Sequence, residues 1–224
     1  MSDSATAVLF DIDGTLVDSN FLHVEAWDAA FSDLDLAVPS WRILRSIGAD
    51  SSQLLDDLIG DQPNDVKDRA KELHSEHYAE LGPRLRLLPG ARELLEAVGA
   101  KGSQVVLATS SPPDELERLQ KVLDVDALLS AITSGDDVDT AKPAPDIIGR
   151  ALEKAGVDAS SAIMVGDAVW DVRSASAAGV ATVSLRSGGT GTAELTDAGA
   201  VAVYDDAADL LHSLDTSPLA RLWR

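Results

Sequence analysis

The sequence predicts an α/β fold: a doubly wound, parallel-sheet, Rossmann-like core domain with an inserted, small, all-helical cap domain. Short apolar runs that do not alternate with polar residues predict buried parallel strands. Amphipathic stretches of helical spacing lie between these runs, which is typical of a sheet covered by helices on both faces. One long helical gap after the first strand predicts the insertion.

Six apolar runs bounded by turn residues are predicted as strands of the core. They cover residues 8–10, 105–108, 128–133, 162–165, 181–185 and 201–204. Helical spacing of apolar residues predicts helices over residues 90–100, 113–123, 145–156 and 169–179. Each of these helices is long enough to form the crossover that joins two parallel strands.

The gap between the first two predicted strands is much longer than one crossover requires. Because the stretch GARELLEAVGA can serve as that crossover alone, the residues before it form an insertion. We assign residues 1–17 and 86–224 to the core domain and residues 18–85 to the cap. Helical patterns in the cap cover residues 21–34, 40–48, 51–60 and 64–81.

The chain is strongly acidic: its 224 residues include 38 Asp and Glu against 18 Lys and Arg, a formal net charge of −20. Nucleic acid and anionic membrane surfaces repel such a chain, so we expect neither as a partner. The absence of cysteine fits a reducing compartment, and no apolar run suits a signal peptide or a membrane span. We expect a cytoplasmic monomer or homodimer. The acidic excess fits either salt adaptation or a well-solvated surface.

Polar residues follow four predicted strands, at the sheet edge where open α/β sheets bind ligands. They are Asp11 and Asp13 after the first strand, Thr109, Ser110 and Ser111 after the second, Lys142 after the third, and Asp167 and Asp171 after the fourth. Four carboxylates with only one ammonium to balance them would repel one another unless a divalent cation lies among them. Oxygen ligands without His or Cys favour Mg²⁺, and the hydroxyls and the ammonium favour a phosphate ligand.

Four motifs in this order, DIDGTLVDS, LATSS, AKPAPD and VGDAVWD, resemble those of the haloacid dehalogenase superfamily of phosphotransferases. The helical insertion after the first motif resembles the small cap of its phosphoglycolate phosphatase and β-phosphoglucomutase branch. The resemblance spans nearly the whole chain. It implies phosphoryl transfer from a small phosphorylated metabolite, with Mg²⁺ as cofactor.

The resemblance also implies a role for each residue of the predicted site. Asp11 would be the nucleophile that forms an aspartyl-phosphate, and Asp13 the general acid and base. Thr109, Ser110 and Lys142 would bind and neutralise the oxygens of the phosphoryl group.

The same resemblance implies the ligands of the metal ion. Asp11, the main-chain carbonyl of Asp13 and Asp167 would bind Mg²⁺. Asp171 would be a further ligand or would orient the others.

Two residues of the cap are candidates for substrate binding. His23 lies one helical turn before Trp27, where capped family members shape their cavity, although packing in the cap core is an equal alternative. Arg45, beside the loop IGADSS, would place a guanidinium over the remote end of the substrate. His74 is predicted as a surface residue, and the run SGGTGTAEL from Ser187 as a flexible connection.

Together these motifs predict a Mg²⁺-dependent phosphatase that hydrolyses a small soluble phosphate monoester. A sugar-phosphate mutase is the first alternative, although β-phosphoglucomutases carry Glu-Asp where this chain has Gly166 and Asp167. Dehalogenases and phosphonate hydrolases of the superfamily replace the second aspartate of the first motif, so Asp13 argues against both. A catalytically idle binding protein is the second alternative, which the presence of Asp11 and Lys142 disfavours.

Overall fold

The computed structural model describes residues 5–138 and 142–224. Its centre is one sheet of six parallel strands: β1 Ala7–Phe10, β2 Gln104–Ala108, β3 Leu129–Thr133, β4 Ala162–Gly166, β5 Ala181–Leu185 and β6 Ala202–Tyr204. The strands pair in the order β3-β2-β1-β4-β5-β6, which is a doubly wound topology. The predicted fold class is confirmed. Ala141 of the third predicted motif lies outside the described residues.

Ten α-helices lie in the described part of the chain. They are α1 Asn20–Asp33, α2 Ser40–Ser46, α3 Ser51–Ile59, α4 Asn64–Leu81, α5 Ala91–Ala100, α6 Pro113–Leu123, α7 Asp146–Ala155, α8 Val169–Ala177, α9 Thr192–Ala198 and α10 Ala207–His212. The first eight correspond to predicted helical stretches. Helices α9 and α10 were not predicted, because seven and six residues are too few to give a clear helical period.

Apolar side chains cover both faces of the sheet. Successive residues of a strand point to opposite faces, so Val8 and Phe10 of β1 belong to one core cluster, whereas Ala7 and Leu9 belong to the other. All four residues are fully buried, which explains why β1 shows no polar alternation in the sequence.

The cap has a hydrophobic core of its own, built from α1 to α4. Trp27 and Phe31 of α1 pack there with Ile43 of α2 and Leu55 of α3. Two chain segments lie side by side before α1 and after α4: residues 16–18 pair with residues 86–88 through a bridge between Val17 and Leu87. No described helix has the length and apolar character needed to cross a membrane.

Candidate active site

Asp11 and Asp13 lie at the carboxyl end of β1. The Asp11 amide donates to the Val165 carbonyl at 2.9 Å, which extends the pairing of β1 with β4 by one residue. Gly14 then adopts a left-handed backbone conformation (φ 70°), and its amide donates to the Val17 carbonyl at 2.8 Å. This tight turn leaves the side chains of both aspartates in the wall of one cavity.

Three buried carboxylates and one buried ammonium form a compact cluster. Carboxylate oxygens of Asp11, Asp167 and Asp171 lie within 4.8 Å of one another. The Lys142 Nζ lies 2.5 Å from Asp11 Oδ1 and 2.7 Å from Asp171 Oδ1, and only 1% of the Lys142 side chain is exposed. Burial alone would lower the pKa of Lys142, but the two carboxylates outweigh it and raise this pKa, so the ammonium is charged.

One ammonium does not neutralise three buried carboxylates. Burial, together with the charges of Asp171 and Asp13, raises the pKa of Asp11 to about 7 against the opposing effect of Lys142. Burial and the charges of Asp171 and Asp11 also raise the pKa of Asp167 well above its usual range. A divalent cation among these oxygens would relieve the repulsion, and the donor set contains only the hard oxygen ligands that such cations prefer. The cluster therefore fits a metal ion, and the Asp13 carboxylate is not part of it.

Residues from distant parts of the chain orient Asp167. Thr15 Oγ1 donates to Asp167 Oδ1 at 2.9 Å, and Asn20 Nδ2 donates to Asp167 Oδ2 at the same distance. Gly188 packs so closely that a Cβ there would lie 1.6 Å from Asp167 Oδ2. The run from Ser187 is thus a wall of the carboxylate cluster, and its interpretation as a flexible connection was wrong. Its Ser187 Oγ donates to the Gly14 carbonyl at 2.6 Å.

The contact at Gly188 gives a prediction. Gly188→Ala forces Asp167 to move, so we expect Mg²⁺ affinity to fall roughly 10- to 100-fold. The free energy of unfolding should fall by about 1–3 kcal/mol because the new methyl group overpacks the site. Calorimetric titration with Mg²⁺ and urea unfolding measure the two effects. Gly191→Ala is the matched control, since a Cβ at Gly191 meets nothing within 4 Å. Equal behaviour of the two variants would contradict the prediction.

The carboxylate of Asp13 faces a different set of partners. Ser19 Oγ donates to Oδ1 at 2.5 Å, Ser111 Oγ donates to Oδ2 at 2.9 Å, and His23 Nε2 lies 3.5 Å from Oδ1. Burial raises the pKa of Asp13, but the interactions with His23, Ser19 and Ser111 together outweigh burial and lower it. These partners fix the orientation of Asp13 within the cavity wall.

The hydroxyl residues after β2 lie beside the two aspartates. The Thr109 amide donates to the Thr133 carbonyl at 3.0 Å, and Thr109 Oγ1 accepts a 3.0 Å hydrogen bond from the Ser111 amide. Ser110 lines the cavity, and its buried Oγ has no hydrogen-bond partner among the residues that the structure describes. Ser110 therefore offers an unused hydroxyl to a ligand.

A cavity of about 490 Å³ lies between the cap and the core. The residues after β1 and β2, with Lys142, form the core wall, and α1, α4 and residues 47–52 form the cap wall. The Asp50 amide donates to the Lys142 carbonyl at 3.0 Å, so the cap loop contacts the core beside the carboxylate cluster. The cap thus covers the site.

Two histidines of the cap connect to Asp13. His23 Nδ1 lies 3.1 Å from His74 Nε2, and both rings line the cavity. His23 stacks on Tyr78 and His74 stacks on Trp27, with ring centroids 3.9 and 4.1 Å apart. Burial and the charge of His23 lower the pKa of His74 well below its usual range. The expectation that His74 is a surface residue was wrong, because its side chain completes this buried stack.

The structure does not bring Arg45 to the cavity, contrary to the sequence-based expectation. Arg45 lies at the end of α2, and its Nη2 forms an ion pair with Glu194 Oε1 of α9 at 2.5 Å. Its main-chain carbonyl accepts a 3.3 Å hydrogen bond from Trp170 Nε1. The guanidinium therefore contacts the outer rim of the core domain, where an acidic partner is available, and is not part of the cavity wall.

A doubly wound sheet that carries an aspartate cluster, a buried lysine and hydroxyl residues under a helical cap defines the haloacid dehalogenase class of hydrolases. The family model described as "haloacid dehalogenase-like hydrolase" matches residues 5–179. The chain belongs to this family, which confirms the resemblance of its motifs.

Relatives and solved structures agree with this assignment. The chain is 31% identical over 214 residues to phosphoglycolate phosphatase of Rhodospirillum rubrum, covering 91% of this chain and 88% of the relative. It is 29% identical over 194 residues to the plasmid protein CbbY of Cupriavidus necator, covering 79% of this chain and 76% of that protein. A hydrolase from Pseudomonas syringae superposes with a TM-score of 0.90 at 36% identity, covering 94% of this chain and 98% of that structure. The predicted enzyme class, a phosphoric monoester hydrolase, agrees with the name of the first relative.

Proposed function

We propose that the protein is a Mg²⁺-dependent phosphatase that hydrolyses a small phosphate monoester through an aspartyl-phosphate intermediate. The observation that carries the proposal is the Asp11 carboxylate, which lies in the cavity wall, is paired with Lys142 and belongs to a cluster that fits a metal ion. The name of the Rhodospirillum rubrum relative supports the reaction type. A cytoplasmic location and a monomeric or homodimeric state remain expectations.

In the first step, an oxygen of Asp11 attacks phosphorus while the bond from phosphorus to the ester oxygen breaks. Asp13 gives its proton to the leaving alcohol, and the negative charge of the bound phosphoryl group favours the protonated form of Asp13 that this requires. The Lys142 ammonium and the Ser110 hydroxyl are the nearby donors for the phosphoryl oxygens. Thr109 contributes to the same donor set when its hydroxyl turns from Ser111 to the ligand.

In the second step, the Asp13 carboxylate takes a proton from water, and the resulting hydroxide attacks phosphorus. The bond from phosphorus to Asp11 breaks, which releases inorganic phosphate and restores the carboxylate. Asp11, Asp167 and the Asp13 carbonyl would hold a Mg²⁺ ion, with Asp171 as a further ligand or a residue that orients the others. The ion would supply positive charge that stabilises the phosphoryl oxygens. The hydrogen bonds from Ser19 and Ser111, with the ion-pair contact of His23, keep Asp13 in position for both proton transfers.

One contact favours the phosphatase over the mutase. A Cβ at Gly166 would lie 2.4 Å from Asp171 Oδ2, and Asp171 forms an ion pair with Lys142. The glutamate that β-phosphoglucomutases carry at this position would displace Asp171, so this site is built for the Gly-Asp pair.

The proposal is tested by phosphate release from a panel of small phosphate esters, which includes phosphoglycolate, glycerol phosphate, pentose and hexose phosphates and nucleotides. We expect one ester to be hydrolysed much faster than the others with Mg²⁺, and all release to stop in excess EDTA. Conversion of one hexose phosphate isomer into another, with little release, would support the mutase instead. No release from any ester under any metal condition would contradict the proposal.

A further inference from the structure

Lys71 lies in the cap wall of the cavity, whereas Asp11 lies in the core wall. Lys71, His74 and Ser75 are three and four residues apart on α4, which places them on one face of that helix, and all three line the cavity. The Lys71 side chain is half-buried, and its Nζ donates to Ser52 Oγ at 3.0 Å. A cationic group thus lies on the side of the cavity away from the phosphoryl-transfer residues.

Lys71 differs from the other five lysines of the chain, because each of those has a carboxylate partner. The pairs are Lys67 with Asp56, Lys101 with Asp215, Lys121 with Glu117, Lys142 with Asp11 and Asp171, and Lys154 with Asp137. Within residues 5–138 and 142–224, Lys71 forms no ion pair. In a chain of net charge −20, a lysine left without a carboxylate is available for an anion that enters the cavity.

The surrounding charges restrict which anion fits. Lys142 also lines the cavity, but Asp11 and Asp171 already bind it. Asp50 and Asp136 line the same cavity and repel negative charge. One available ammonium among acidic groups matches a singly charged carboxylate better than a doubly charged second phosphate.

We infer that Lys71 determines specificity by binding a carboxylate at the remote end of the substrate, whose phosphate end lies at Asp11. This inference rests on the proposed phosphatase function and narrows its substrate to phosphorylated hydroxy acids. Ser52, which Lys71 contacts, supplies a hydroxyl to the same carboxylate. A charge-assisted hydrogen bond of this kind adds to binding in both the ground state and the transition state, so it acts on kcat/KM.

Four esters with the same two-carbon skeleton test the inference, because they differ only in the remote group. Phosphoglycolate carries a carboxylate, 2-hydroxyethyl phosphate a hydroxyl, phosphoethanolamine an ammonium, and ethylene glycol bisphosphate a second phosphate. Values of kcat/KM are measured for the wild type, Lys71→Met, Lys71→Glu and Lys121→Met. Lys121 is the charge-matched control, since it lies exposed on α6 and pairs with Glu117.

We expect Lys71→Met to lower kcat/KM for phosphoglycolate roughly 10- to 100-fold, the usual effect of losing a hydrogen bond to a charged group. The value for 2-hydroxyethyl phosphate should change little. Lys71→Glu should lower the phosphoglycolate value further and raise that for phosphoethanolamine. Lys121→Met should match the wild type on every ester.

Other outcomes would overturn the inference. An equal loss on all four esters in Lys71→Met would mean a structural role. A preference for the bisphosphate that disappears in Lys71→Met would assign the anion as phosphate. In either case, Mg²⁺-dependent hydrolysis by the wild type would still support the phosphatase proposal. If the wild type hydrolyses none of the four esters but hydrolyses another phosphate ester, only the inference fails.

Discussion

Asp11→Asn is expected to reduce phosphate release by at least about 10⁴-fold, because the variant lacks the nucleophile on which both steps depend. The fold should remain intact, since asparagine has the same shape as aspartate. Burial and neighbouring carboxylates raise the pKa of Asp11 to about 7, so its ionised form is not a source of stability above that pH. Turnover with Mg²⁺ and urea unfolding in EDTA measure the two properties separately.

A matched control uses the same chemical change at an exposed position. Asp197→Asn, at an exposed position of α9 that is not part of the cavity wall or the carboxylate cluster, removes one negative charge and should leave turnover unchanged. Mass spectrometry of acid-quenched enzyme should detect a phosphoryl group on the peptide that contains Asp11 in the wild type and not in Asp11→Asn. Wild-type turnover in Asp11→Asn would remove this residue from the proposed mechanism.

Most of the fold could be predicted because its central strands are buried on both faces. A strand such as β1 then appears as a continuous apolar run, and the polar residues that follow it mark the ligand-binding edge of the sheet. The short helices α9 and α10 could not be predicted from periodicity. Helix α9 connects β5 to β6 and packs against α8 and β6, whereas α10 follows β6 and packs against α5 and β6, so tertiary packing stabilises these short helices.

The residues that orient the candidate site were harder to predict than the aspartates themselves. Asn20 and Asp167 are separated by 147 residues, and no local pattern indicates that their side chains meet. The close approach of Gly188 to Asp167 is likewise a tertiary contact. The glycine-rich composition around Gly188 does not indicate which residue it contacts. The burial of His74 could have been predicted from helical spacing, because it lies four residues after Ala70 and four before Tyr78, on the buried face of α4.

Arg45 illustrates the opposite error. Its position beside a cap loop indicated that its side chain reaches the cavity. Which residue the guanidinium pairs with, however, depends on how the cap is oriented on the core. Glu194 of α9 lies at the contact between the two domains and pairs with the guanidinium. A lysine of a different cap helix, Lys71 of α4, lines the cavity instead.

Lys142→Met is expected to affect stability and turnover together. The substitution removes the buried ammonium that contacts Asp11 and Asp171 and leaves their charges uncompensated. Breaking a buried ion pair by removing one partner costs about 3–5 kcal/mol, so the free energy of unfolding in EDTA at pH 8 should fall by about that amount. Turnover should fall by several orders of magnitude, because the phosphoryl oxygens also lose this charge.

Two comparisons separate the electrostatic cause from a simple packing defect. Lys121→Met removes an exposed lysine from a pair on the surface of α6 and should leave stability and turnover unchanged. Lys142 opposes the rise in the pKa of Asp11, so without it this pKa lies above the wild-type value of about 7. The stability deficit of Lys142→Met should therefore be largest at alkaline pH and should shrink as the pH falls through that higher pKa, because protonation of Asp11 removes the charge that Lys142 no longer compensates. A packing defect would persist at every pH. A loss of stability that does not depend on pH would therefore contradict the electrostatic role of Lys142.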